Sequence, residues 1–284
     1  MFHVKHLAVA FVVAVPALAS PAGEDVSIPG PGVELAARMY RPRGAGPFPA
    51  IMMLHGCSGM WLRDGVTPTA NYRFWAEHFQ GRGYMALLVD SFGSRGEREI
   101  CTQAIRKISE ASDRPRDAHA ALQWLATRKD VDASRIHLMG WSNGAMAVLQ
   151  TLRPDAPGRP AGGPGFRSAV ALYPGCASLS TTAYAPVAPL LIQAGRADDW
   201  TPARFCETLA RSKGGAAIEI DVYDDAHHGF DNPSGVMRRR PEVRNPSSPT
   251  GWGATIGGNP EARRKAIERT TAFIESHSPF HVEQ

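Results

Sequence analysis

The sequence predicts an α/β domain with a mostly parallel central sheet and helices on both faces. Three observations point there. Short apolar runs such as Ala50–Leu54, Tyr84–Val89 and Pro189–Ala194 lack polar alternation, as strands buried on both faces do. Helical patterns fall between these runs. Polar residues capable of chemistry sit where the runs end: His55, Asp90, Ser142, Asp198 and His228. Open sheets of this kind place their sites at the carboxyl ends of the strands.

Taken in order, Val26–Ile28 and Val33–Tyr40 read as strands joined by the turn cluster Pro29-Gly30-Pro31-Gly32. The strand 50–54 ends in His55-Gly56-Cys57-Ser58-Gly59. Phe74, Trp75 and Phe79 place a helix over 71–82, stopped at Gly83, and the strand 84–89 ends at Asp90. A polar stretch with Cys101 leads to a helix over 113–128, whose apolar face is Ala118, Ala121, Leu122 and Leu125. Strands follow over 135–139, 168–173, 189–194 and 218–223, with helices over 201–213 and 260–276. The segment 231–259 is rich in Pro, Gly and Arg without periodicity, so it reads as a long loop leaving the site. It is expected to shape the mouth of the pocket, with Trp252 as a wall.

Composition narrows the rest. The 284 residues are 43% hydrophobic and 20% charged, as in an ordinary folded domain. The net charge is only +4, and Lys and Arg are spread along the chain except at Arg238-Arg239-Arg240. A nucleic-acid partner is therefore not expected. Met1–His6 is a basic start, Leu7–Leu18 is an apolar run too short to span a bilayer, and Ala17-Leu18-Ala19 fits a cleavage site. Residues 1–19 read as a secretory signal peptide and 20–284 as one domain. The mature protein is expected to be exported, periplasmic or secreted, without membrane attachment. Four cysteines with no C-x-x-C pair then favour disulfides over a metal site. Neither a metal nor an organic cofactor is expected. Nothing in the sequence sets the oligomeric state.

The chemistry centres on Gly140-Trp141-Ser142-Asn143-Gly144, between an apolar strand and a small-residue helix. This is the G-x-S-x-G turn that exposes a serine hydroxyl above a sheet. Serine is a poor nucleophile near neutral pH and needs a base, and the base needs an orienting acid. In the required order an acid and a histidine follow: Asp198, favoured over Asp199 because it comes first after its strand, and then His227 or His228. His55 and His137 read as structural, and His119, His277 and His281 as surface residues. The oxyanion would be held by the N–H of Asn143 and by one from the loop after the third strand, at Cys57.

The chain from about Val33 to the final helix resembles the dienelactone hydrolase family of α/β-hydrolases. The resemblance is carried by Leu54-His55-Gly56, Asp90 to Gly96, Gly140–Gly144, Gly195-Arg-Ala-Asp198-Asp-Trp-Thr-Pro202 and Ala226-His-His228-Gly-Phe230. It implies an α/β-hydrolase fold and the triad Ser142, Asp198 and His228, the histidine being the one two residues before Phe230. Better-known members use cysteine where this chain has Ser142. They hold a substrate carboxylate with two arginines; Arg95 lies near one position, and Asn232 falls near the other. Arg95, Trp141 and Trp252 are the expected substrate contacts. The strand order of that fold brings Cys57 near Cys101 and Cys176 near Cys206, so these are the expected disulfides. The expected activity is cleavage of a small-molecule ester or lactone through an acyl-enzyme. The alternatives are a lactone hydrolase proper and a catalytically silent binding protein; an intact triad speaks against the last.

Overall fold

The computed structural model describes residues 22–212 and 214–279. The expected signal peptide, 1–19, and His281 lie outside them. Eight strands form one sheet: β1 (Glu24–Pro29), β2 (Glu34–Tyr40), β3 (Phe48–Leu54), β4 (Met85–Asp90), β5 (Val131–Trp141), β6 (Ala169–Leu172), β7 (Leu190–Gly195) and β8 (Ile218–Tyr223). Their spatial order is β1-β2-β4-β3-β5-β6-β7-β8. The β1–β2 hairpin is antiparallel, as is β2 against β4; the neighbouring pairs from β4 to β8 are all parallel.

Five helices cover the sheet: α1 (Ala70–Gln80), α2 (Asp113–Ala126), α3 (Asn143–Thr151), α4 (Ala203–Ala210) and α5 (Pro260–Ser276). Strand side chains alternate between faces, so a strand covered on both faces must be apolar throughout. In β3, Ala50, Met52 and Leu54 join the core under α2, α3 and α4, with Leu122, Leu149 and Leu209. Ile51 and Met53 join the opposite core under α1 and α5, with Trp75, Phe79, Phe273 and Ile274. The start of α5 follows from its sequence: Asn259 accepts the N–H of Ala262 and Pro260 occupies the first turn.

Two expectations are corrected. The segment 231–259 is not structureless, because it contains the antiparallel ribbon β9 (Arg238–Arg244) and β10 (Trp252–Ile256). Val243 and Ala254 pack in a small third core with Phe92, Trp200 and the Cys57 and Cys101 side chains, so the ribbon is fastened by a few apolar residues. His119 is not a surface residue but is buried on α2, beside Phe166. Among the described residues no helix is long and apolar enough to cross a membrane.

Candidate active site

The turn after β5 needs its glycines. A Cβ on Gly140 would fall 2.5 Å from Gly144 O, and one on Gly144 would fall 2.0 Å from Leu54 O. With both absent, α3 starts directly beneath β3, and Ser142 is forced to φ 53° and ψ −115°. That geometry lifts the hydroxyl off the sheet, where His228 Nε2 lies 2.8 Å from Ser142 Oγ. His228 Nδ1 is 2.8 Å from Asp198 Oδ2. Asp198 Oδ1 accepts the N–H groups of Trp200 and Thr201 at 2.8 and 2.9 Å, which orients the carboxylate. All three side chains sit just beyond strand ends: β5, β7 and β8.

The imidazole is also boxed in. The Tyr173 and Trp200 rings each stand 4.7 Å from the His228 ring, centroid to centroid. His227, its sequence neighbour, has no place in this hydrogen-bonded chain. Asp199, the rejected acid, instead binds the ribbon through Thr255 N–H at 2.8 Å and Arg239 at 3.1 Å. The segment that carries the ribbon is tied to His228 as well, because Gly257 N–H donates to His228 O at 3.0 Å.

The loop after β3 lies against Ser142: a Cβ on Gly56 would be 3.5 Å from Ser142 Cβ. Gly56 N–H donates to Tyr72 Oη at 2.9 Å, and Cys57 is next along the cleft wall. The Cys57–Cys101 disulfide fastens this loop, and Cys176–Cys206 joins the end of β6 to α4. Behind Asn143 sits Arg114, wholly buried, with Nη1 2.7 Å from Asn143 Oδ1. Burial pulls its pKa down to about 10, which still leaves it charged at neutral pH. Burial, followed by the Arg114 charge, lowers the pKa of His55, whose Nδ1 lies 2.8 Å from Gly56 O.

Below the site lies Asp231, also wholly buried. Its Oδ2 accepts from Asn71 Nδ2, Trp75 Nε1 and Trp141 Nε1 at 2.9, 2.9 and 2.8 Å, and its Oδ1 from Tyr173 Oη at 2.8 Å. Sequence reasoning missed Asp231, Arg114, Tyr72, Tyr173 and Trp200. Tyr173 and Trp200 could have been suspected, since Tyr173 directly follows β6 and Trp200 comes two residues after Asp198.

Ser142 opens onto two lobes. One, about 220 Å³, is walled by Ser58, Tyr72, Trp141, Tyr173, Trp200 and His228, and by Asn232, Val236, Arg238, Arg240 and Ile256 from the segment that carries the ribbon. The other, about 280 Å³, is lined by Met146, Cys176, Trp200, Pro202, Phe205 and Pro246, with Arg106 and Glu110 together at it. The expected substrate contacts need correction here. Arg95 does not reach either lobe: it forms a two-pronged ion pair with the buried Asp117 at 2.8 and 2.9 Å and donates to Ser91 O. Trp252 is off the cleft too, against the Arg244 guanidinium, because it sits at the far end of β10 from Ile256, beyond the register shift between Trp252 and Ala254. Trp141 does line the first lobe, but its indole N–H is held by Asp231 and is not free for a ligand.

A doubly covered parallel sheet with a serine, a histidine and an acid at its strand ends defines an α/β-hydrolase. The chain matches the dienelactone hydrolase family over residues 35–278 and belongs to that family. It is 28% identical over 123 residues to esterase EstD of Thermotoga maritima; the match takes in 43% of this chain and 27% of that esterase. Its fold is similar to a candidate dienelactone hydrolase of Klebsiella pneumoniae subsp. pneumoniae MGH 78578, with TM-score 0.67 and 20% identity over 89% of this chain and 98% of that one. It is also similar to esterase Est2 of Thermogutta terrifontis with propionate bound, with TM-score 0.62 and 19% identity over 93% and 97%.

Proposed function

We propose that this protein is an exported serine hydrolase that cleaves carboxylic esters or lactones through an acyl-enzyme. The observation that supports it is the unbroken chain Ser142 Oγ, His228 Nε2, His228 Nδ1, Asp198 Oδ2, with both links at 2.8 Å. In this reading His228 takes the proton from Ser142 as Oγ attacks the carbonyl carbon, and Asp198 steadies the imidazolium. The N–H groups of Cys57 and Asn143 receive the oxyanion. The alcohol oxygen leaves with the proton from His228, and water repeats the sequence to free the acid. Each oxyanion donor is worth about 3 kcal/mol of transition-state stabilisation. The buried Arg114, bonded to the Asn143 side chain, holds that residue at the helix start. The two disulfides support an oxidising compartment and hence export.

The test is hydrolysis of p-nitrophenyl acetate. Ser142→Ala and His228→Ala should each lower kcat by about 10⁴-fold or more. Activity that survives in His228→Ala and disappears in His227→Ala would move the base by one residue. Chelation by EDTA should leave the rate unchanged; inhibition by it would count against the scheme.

A further inference from the structure

Arg114 is the second residue of α2 and is wholly buried. Three features make a cation unfavourable there. It has been taken out of water. It stands in the first turn of a helix, where the backbone N–H groups already carry positive partial charge. Its guanidinium is also poorly served: Nη1 donates to Asn143 Oδ1 at 2.7 Å, while Nε and Nη2 are buried without a hydrogen-bond partner among the described residues.

The acids around it are engaged elsewhere. Asp117, which acts on it most strongly, is held in a two-pronged pair by Arg95. Asp90 accepts the Trp61 indole N–H and the N–H groups of Phe92 and Gly93. Glu110 Oε2 accepts from Asn143 Nδ2 at 3.1 Å. On the other sides stand Tyr72, the Phe92 ring at 5.1 Å, and His55, whose pKa burial and then this charge push down. Packing alone would be met by an apolar side chain of similar length.

What the guanidinium does grip is Asn143. That residue opens α3, and its N–H is the one assigned to the oxyanion above. Its side-chain amide is held at both ends, Oδ1 by Arg114 and Nδ2 by Glu110. Arg114 lines neither lobe, so it acts on substrate only through another residue. We propose that Arg114 is a positioning residue for the oxyanion: it fixes Asn143 by its side-chain carbonyl and sets a permanent positive charge behind the N–H that receives the developing negative charge. Arginine suits that place because it stays charged where a lysine would give up its proton. In a water-poor interior its charge is little screened. The proposal rests on the serine hydrolase reading above.

The experiment uses p-nitrophenyl acetate and 1,1,1-trifluoroacetone. The ketone carbon bonds to Ser142 Oγ, the C=O electron pair moves to oxygen, and the serine proton passes to His228. The product is a tetrahedral oxyanion with no leaving group. Acylation and deacylation both pass through such an oxyanion, so Arg114→Met should slow both and leave their balance alone. Its kcat should fall about 30-fold, less than for loss of a whole donor, with KM within about twofold of wild type. Ki for the ketone should rise by the factor that kcat loses. Neither KM nor Ki depends on how much of the protein is folded, so partial unfolding does not mimic the pattern.

Arg114→Lys gives a second reading. A buried lysine loses its proton several units early, so its kcat relative to wild type should exceed that of the methionine variant at about pH 6 and fall as pH rises. The methionine variant's relative kcat should stay level. An unchanged Ki in Arg114→Met, or a lysine variant no better than the methionine one at any pH, would overturn the role of Arg114 and leave the esterase reading standing. A wild type that neither hydrolyses the ester nor binds the ketone would overturn both.

Discussion

Replacing Asp231 separates packing from polar satisfaction beneath the site. The carboxylate serves four side-chain donors from α1, the end of β5 and the turn after β6. In Asp231→Leu all four lose their acceptor inside the protein, at about 1–3 kcal/mol for each buried donor. Releasing the desolvated carboxylate returns several kcal/mol. The net loss should be roughly 3–6 kcal/mol, a large share of the about 5–15 kcal/mol that holds a typical domain together. Asp231→Asn should be milder. Its amide oxygen can take two of the three donors that now meet Oδ2, and the Tyr173 hydroxyl can turn to accept from the amide nitrogen. The expected cost is about 1–2 kcal/mol. Urea unfolding followed by near-UV circular dichroism measures both variants. Hydrolysis should weaken in step, since Trp141 precedes Ser142 and Tyr173 packs on His228. A leucine variant within about 1 kcal/mol of wild type, or one more stable than the asparagine variant, would refute the reasoning.

Three further outcomes are expected. Replacing both cysteines of either disulfide by serine should cost about 4 kcal/mol in the chain-entropy picture, given spans of 44 and 30 residues; a denaturant titration of each variant checks it. Arg95→Ala should destabilise the fold by about 3–5 kcal/mol, because it strands the buried Asp117 without its partner, yet leave the ratio of anionic to neutral ester turnover unchanged; a shifted ratio would put Arg95 back at the substrate. Burial lowers His119 to about 4 and His137 to about 3. Below pH ~6.5 the unfolded chain therefore takes up protons that the folded one refuses. Stability should be full above that pH and fall as pH drops toward 3, a trend that His137→Gln should blunt in a pH series of melting curves.

The strands and the meeting of Ser142, His228 and Asp198 were legible for the same reason. β3 and β4 are covered on both faces and have no choice but continuous apolar sequence, and Ser142, Asp198 and His228 lie one to five residues beyond such runs or their successors. The disulfide partners could be read because strand order decides which loops meet. What hid was anything fixed by a single distant partner. Arg95 looks like a free cation until Asp117 appears beside it from α2. Arg114 looks like a surface helix residue, yet it points inward to Asn143. The β9–β10 ribbon escaped because Arg238–Arg244 shows charge on both faces; Val243 and Ala254, together with Asn245 donating to Gly253 O, hold it, and two apolar residues make no period.

Ser142 occupies a backbone region that side-chain-bearing residues avoid, at a cost of about 1–3 kcal/mol. That cost is borne by every folded molecule, whether or not substrate ever arrives. Glycine at this position would relax it, so random substitution here meets two opposed pressures: one favours a sturdier protein, the other keeps a hydroxyl where His228 can reach it. A descendant freed from its chemistry would be expected to drift toward glycine at 142, while the flanking glycines, which the close contact of β3 with α3 requires, would stay. The identity of this one residue in a divergent copy would thus record how long that copy had been without selection on turnover.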